Sequence, residues 1–579
     1  MHLDRIIFEA EPRARPTGPV RLDSVCFLGF VAERRPVRAG PVLTAWLDGL
    51  GLLTRAERLA GPETLIGRPV TVASLAEYEM LFDGATRIDA VASLTGNPLG
   101  AQVLAADLSE PLAIVLDGRL IDIALPALDQ TPAQIAAAIM NQCPGLSASV
   151  DQDRRLTLSR RAEAGAGTLA VLTHPGLGFP TLRHARTRAV GAAMDVAVRQ
   201  FFAMGGQVAH IVSMGPPLPL LASSADRAQA LGRLMGLGTV QPAAAALLMA
   251  TPNPGPADGA LAWPGLSMLM AFEDAGMLLI PDLPDLVAAE RTPAPETRAP
   301  APRLAVFADC LPEPAMAPPM ALADMDLPVT DADGAALWGA AVSRALRLIS
   351  DHRRDMQLLA ALPRLGHGVA SAMPASAFLT LASPYLKTPF SKTLPGAAMA
   401  PDAVLAGQFA RRLNSDTPFA SAALELVPLV TMPAETVPDV PGHCRFAADR
   451  GATVLVRDVT TSDDPAWRSG TAQRIIARLL REAARLGDGL LFEPISEIVM
   501  HRVIVAFETV LLQIAAEGGL SADGRDPGFS VICDASTTPA ADIERGILRA
   551  EVTFRPAVPI EEIRLSLPIG RGSSTEGRT

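Results

Sequence analysis

At 579 residues the chain is too long for a single hydrophobic core, and its length suggests about three to four domains. With 49% hydrophobic residues beside 51 prolines and 46 glycines, it reads as folded and turn-rich rather than disordered. A net charge of −11, spread without long acidic blocks, argues against nucleic acid as the main partner.

The N-terminus, MHLDRIIFEAEPRARP, holds acids and no long apolar stretch, so it does not read as a secretory leader. No uninterrupted apolar run reaches the ~18 residues of a membrane span, and the expectation is a soluble intracellular product. Cys26, Cys143, Cys310, Cys444 and Cys533 lie far apart without a CxxC pair. That spacing suggests buried free thiols, not a disulfide framework or a zinc ribbon.

In chain order, residues 1–22 look like an arm carrying the apolar patch Ile6, Ile7 and Phe8. DSVCFLGFVAERRP (23–36) predicts a buried strand and a polar turn. RPVTVASLAEYEMLFDG (68–84) predicts a strand, then a helix opened by Ser74 with Glu77 three residues on and ended by Gly84. Residues 111–172 read as a ββαβββ module. Its first hairpin turns at Asp117-Gly118, its helix begins at Thr131-Pro132, and LSASVDQDRRLTLS forms a second hairpin.

The stretch AVRQFFAMGGQVAHIVSM (197–214) predicts the end of a helix over 194–203, a Gly205-Gly206 turn and a buried strand. Strands alternating with helices across 184–310, including RLAVFADC (303–310), predict an α/β layered domain, with a proline-rich surface loop at 291–303. Farther on come two long helices, 470–486 and 497–520, the second stopped by Gly518-Gly519. FSVICD and ILRAEVTFRP read as strands. PIEEIRLSLPIG places Ile563, Leu565 and Leu567 on one face of a last strand that has no sequence-adjacent partner.

The chemistry is thin. VTDADG (329–334) and HGVASAMPAS (367–376) are similar to the aspartate, histidine and serine motifs of subtilisin-like proteases. However, Ser371 and Ser376 follow His367 by only a few residues, and Ser530 lacks the small neighbours of a nucleophile turn. A phosphate cradle needs glycines that precede a helix, and Gly205-Gly206 follow one. His210 reads as a core or edge residue, and no HxxxH or HExxH spacing suggests a metal. No catalytic residue, cofactor or metal site is therefore assigned.

The order of these segments resembles that of the tail sheath proteins of contractile phages and related contractile injection systems. AVRQFFAMGGQVAHIVSM looks like that family's helix, Gly-Gly and strand signature. DSVCFLGFVAERRP and PVTVASLAEYEMLFDG are similar to its upstream core segments, while SPYLKT (383–388) and APDAVLAGQFARRLNSDTPFASAA (400–423) are similar to later ones. FEP (492–494) and ICDASTTPAADIERGILRAEVTFRPAVPIEEIRLSL (532–567) resemble its closing pattern. Two features depart: VLVRDVT (454–460) stands for a Trp-Gly-Ala-Arg-Thr turn, and the family's N-terminal Pro-Gly-Val-Tyr strand is missing.

The resemblance implies a multidomain α/β and α+β protein with a subtilisin-like core that is not an enzyme. Its parts would be an arm at 1–22, core at 23–100, an outward-facing insertion at 101–183, core again at 184–455, a C-terminal sheath domain at 456–555 and an arm at 556–579. The implied function is a structural subunit that forms hexameric rings in a helical sheath around a tail tube and contracts to drive the tube through an envelope. The partners would be other copies, the tube protein, and baseplate and terminator proteins. Nucleic-acid contact and membrane insertion are not expected. The implied location is the virion, after assembly in the bacterial host cytoplasm. A non-phage injection system or a tailocin would use the same part.

Sliding subunits stay joined if one lends a strand to a neighbour's sheet. Glu561, Ile563, Leu565 and Leu567, and Ile6, Ile7 and Phe8, are the candidate lent strands. The alternatives from other classes are a serine-hydrolase-like enzyme, or a carbohydrate-binding scaffold acting through 111–172.

Overall fold

The computed structural model describes residues 21–557 except 85–86, 91, 127, 162–166, 187, 221, 239–240, 256–262, 291–325, 370–372, 434–441, 491–492 and 522–525. The chain divides into two compact units. The first runs to residue 414 and takes in 422–468; the second joins 415–421 to the residues from 469 onward.

In chain order the first unit opens with β1 (Val25–Gly29), β2 (Pro69–Val72) and α1 (Leu75–Leu81). Residues 93–186 follow, with β3 (Ser93–Pro98), β4 (Leu112–Leu116), β5 (Arg119–Ile123), α2 (Pro132–Gln142), β6 (Leu146–Val150), β7 (Arg155–Arg160), β8 (Thr168–Val171) and β9 (Arg183–Arg186). The chain then returns through α3 (Ala193–Ala203), β10 (Ala209–Ser213), α4 (Ser224–Leu234), β11 (Met277–Leu279) and α5 (Ala332–His352). It closes with β12 (Gln357–Ala361), β13 (Leu379–Ser383), α6 (Asp402–Leu413), β14 (Cys444–Asp449) and β15 (Ala452–Leu455).

The central sheet has eight strands in the order β15-β14-β13-β12-β11-β1-β10-β2. Its six inner strands are parallel, and β2 and β15 close the two edges antiparallel. A parallel sheet buries both faces, which is why β1 reads as an unbroken apolar run. Val25 and Phe27 enter the core beneath α3 and α6 with Phe201 and Phe409. Cys26 and Leu28 enter the opposite core with Leu231 of α4 and Trp338 of α5.

The ββαβββ module forms as expected, split between two sheets, β3-β7-β6 and β9-β8-β4-β5, around its own core. Asp117 and Gly118 both adopt positive φ in the first hairpin, and Thr131 caps α2 through the Gln134 N–H. The sheets also take in β3 and β9, which reach beyond 101–183 at both ends; Leu94 of β3 pairs with Leu158. One helix end differs from expectation. Ser74 does accept the Glu77 N–H, but α1 stops at Leu81, before Gly84. Phe82 is buried instead, its ring stacked on Tyr78, and it pairs with Glu33 in extended backbone.

The second unit holds α7 (Gly470–Leu490), α8 (Glu497–Ala516) and a two-stranded antiparallel hairpin, β16 (Phe529–Ile532) with β17 (Glu551–Phe554). Ser496 caps α8 through the Val499 N–H. By length and composition α8 is apolar enough to cross a membrane, with mean hydropathy 1.7. Counting uninterrupted apolar runs missed this, because His501, Arg502 and Glu508 punctuate a helix that is apolar on two faces. The proline-rich loop, the strand expected at 303–310, and both candidate arms, Ile6–Phe8 and Glu561–Leu567, lie outside the described residues.

Candidate functional site

The Gly-Gly stretch is a turn between core elements. Gly205 takes φ of 100°, and the Gly206 N–H donates to the Phe201 carbonyl. A Cβ on Gly206 would come within 2.3 Å of the Phe201 ring, so the position admits only glycine without a shift of that ring. Phe201 packs edge-on to Phe27 at 5.6 Å, locking α3 onto β1. The glycines lead into β10, so they offer no ring of helix N–H groups to an anion. His210 on β10 is buried. Its Nδ1 lies 2.9 Å from Thr71 Oγ1, its Nε2 3.2 Å from Asp274, and its ring rests on Phe272.

The protease-like residues have other duties. The Asp331 carboxylate accepts the Gly334 N–H at 2.8 Å and caps α5. His367 is exposed on a loop. Ser376 Oγ accepts the Phe378 N–H, and Ser530 sits on the exposed face of the hairpin. Ser371 lies outside the described residues.

In open parallel sheets, ligands enter where the strand order reverses, beyond the C-terminal strand ends. Here that point lies between β1 and β11. The Asp282 carboxylate turns into it and accepts the Phe30 N–H at 2.7 Å, while the buried Arg227 guanidinium donates to the Ala288 carbonyl. The remaining cavity, lined by Leu220, Asp285 and Leu286 among others, is about 30 Å³, room for one or two waters. Among the described residues, no group of three or more His, Cys, Asp or Glu is placed to hold a metal ion. Cys26, Cys143, Cys444 and Cys533 are buried and form no disulfide among the described residues, and burial raises the Cys26 thiol far above its usual range. Asp402, buried at the start of α6, has its carboxyl pushed up to about 7 by desolvation.

The open structural element is the hairpin of the second unit. Arg555 N–H donates to the Gly528 carbonyl, and the register pairs Ser530 with Thr553. Alternation along an antiparallel ladder then points the peptide groups of Phe529 and Val531 out of one edge, and those of Val552 and Phe554 out of the other. Those four side chains share the half-buried face that packs toward α8; Ser530, Ile532, Glu551 and Thr553 face outward. Among the described residues no further strand pairs with either edge. The sequence indicated both strands but not that they pair. The seven-residue spacing of Ile498, Val505 and Leu512, a signal carried by the sequence, places them on the exposed face of α8.

No family model matches the chain, and no curated protein matches it. Solved structures do. The helical sheath of the anti-feeding prophage in its contracted state is 17% identical, covering 65% of this chain and 81% of that one, with a TM-score of 0.41. The sheath complex of an extracellular contractile injection system, PVC, also contracted, is 16% identical over 66% and 81%, with a TM-score of 0.40. A sheath tail protein from Desulfitobacterium hafniense is 10% identical over 91% and 93%, with a TM-score of 0.33.

Proposed function

We propose that the chain is a sheath subunit of a contractile tail or injection machine. It would polymerise in rings around a tube and drive that tube by changing lattice. The observation that carries this reading is the two-edged hairpin. Two strands alone are marginal in water, and both outer edges present peptide groups ready for an added strand. The chain's own sequence offers two strand-like segments for lending, Ile6–Phe8 and Glu561–Leu567. A loan between copies joins subunits through main-chain hydrogen bonds while the linking segments swing as hinges.

The ordered run of sheath-like segments, from DSVCFLGF to the closing PIEEIRLSL, supports the same reading. In this reading the eight-stranded unit is the subtilisin-like core without protease function. The module around 101–183 faces outward, and the tube, baseplate and terminator proteins are the partners. The same reading places the particle in a virion or a related injection machine.

The test is imaging of the purified protein by negative stain, where striated hollow tubes are expected. A variant lacking residues 558–579 should keep its melting temperature and form no tubes; tubes from that variant would overturn strand exchange through the C-terminal arm. Discrete particles from the full chain under every assembly condition would overturn the sheath reading itself.

A further inference from the structure

The exposed face of α8 carries Ile498, Val505 and Leu512, which are 79%, 46% and 56% exposed. Spaced seven residues apart, they line up along the helix, opposite the buried Val499, Val503, Phe507, Leu511 and Ile514. Such a stripe in water is unfavourable, and the chain's own path indicates what can cover it. Ala557 N–H donates to the Gly519 carbonyl, and Ser521 N–H to the Arg555 carbonyl. Ala557, the last described residue, therefore lies beside the C-terminal end of α8.

The lengths agree. From Leu512 back to Ile498 the stripe is about 21 Å long at 1.5 Å per residue. Passing round a helix about 10 Å wide takes a further ~10–15 Å. An extended chain covers about 40 Å in the twelve residues Val558–Ile569. In an extended segment Ile563, Leu565 and Leu567 alternate onto one face.

We propose that in the unassembled subunit the segment Ile563–Ile569 lies over the α8 stripe of its own chain, reaching Leu512 first and Ile498 last. The same residues that a neighbour would receive as a strand are thereby held back until a neighbour's open hairpin takes them. The consequence for assembly rests on the sheath reading, but the contact itself belongs to the free chain and is measured there.

The experiment is disulfide trapping in the full-length chain carrying Val505→Cys and Leu567→Cys, with Ser530→Cys and Leu567→Cys as the control pair. Both pairs are kept dilute and unassembled under mild oxidant. The expected result is an intramolecular 505–567 disulfide, identified by peptide mapping, forming at least tenfold faster than the control. Trapping no faster than the control overturns the proposal, as does a product that is chiefly disulfide-linked dimer, which would put a second copy on the stripe. The 505–567 bond should also stop tube formation, and reductant should restore it. Trapping in a chain that never forms tubes would leave the contact standing and remove the sheath reading. Tubes without trapping would do the reverse.

Discussion

The eight-stranded sheet and the two-stranded hairpin solve the same problem in opposite ways. In the first, six parallel strands are covered on both faces, and antiparallel β2 and β15 close the edges. Beyond β15, Val427 N–H still donates to the Thr453 carbonyl, so the connecting chain covers part of that edge too. In the second, two strands pack one face toward α8, and among the described residues no further strand pairs with either edge. The contrast separates a sheet whose edges are closed by its own chain from a hairpin whose outer edges stay unpaired among the described residues.

That contrast can be broken or sharpened by substitution. The largest effect is expected in the closed unit. Trp338→Ala empties the largest fully buried side chain, and about 3–5 kcal/mol of stability should go, read as a lower denaturant midpoint.

Asp402→Asn comes next, with the opposite sign above neutral pH. The buried carboxyl holds its proton up to about 7, against 3.8 for the free group, so the folded chain binds a proton that the unfolded chain has already released. Stability should therefore fall as pH rises from ~4 to ~7, by on the order of 4 kcal/mol, and stay level above. Asparagine should flatten that slope. Urea unfolding at pH 4 and pH 8 measures it, and equal slopes in the two proteins would contradict the assignment.

Val531→Pro is the smallest change in stability and the largest in assembly. Its N–H points out of the hairpin, so its loss should cost within about 1 kcal/mol in the free chain. Under the proposed sheath function, tube yield should nevertheless collapse. An equal loss of tubes and of melting temperature would mean that the edge was never open.

Much of the closed unit could be read from local chemistry. Asp117-Gly118, Thr131-Pro132 and the Gly205-Gly206 turn each act within a few residues, and each formed where expected. What depends on distant pairing could not be read. β3 joins the module because Leu94 meets Leu158, 64 residues away, and no periodicity encodes that meeting. Asp331 illustrates a different limit, since a helix cap and a catalytic aspartate are the same residue type and only the surroundings distinguish them. The candidate site was half visible: its strands showed in FSVI and EVTF, while their pairing and open edges did not. Helix α8 was assigned as a helix, but with two apolar faces its outer stripe merged into the inner one.

The closed crevice at the end of β1 carries a thermodynamic corollary. A protein that binds a small molecule gains stability with that molecule's concentration, and so behaves differently in each compartment it passes through. With Asp282 seated against Phe30, the crevice leaves about 30 Å³, room for one or two waters, and its rigidity rests on the chain's own hydrogen bonds.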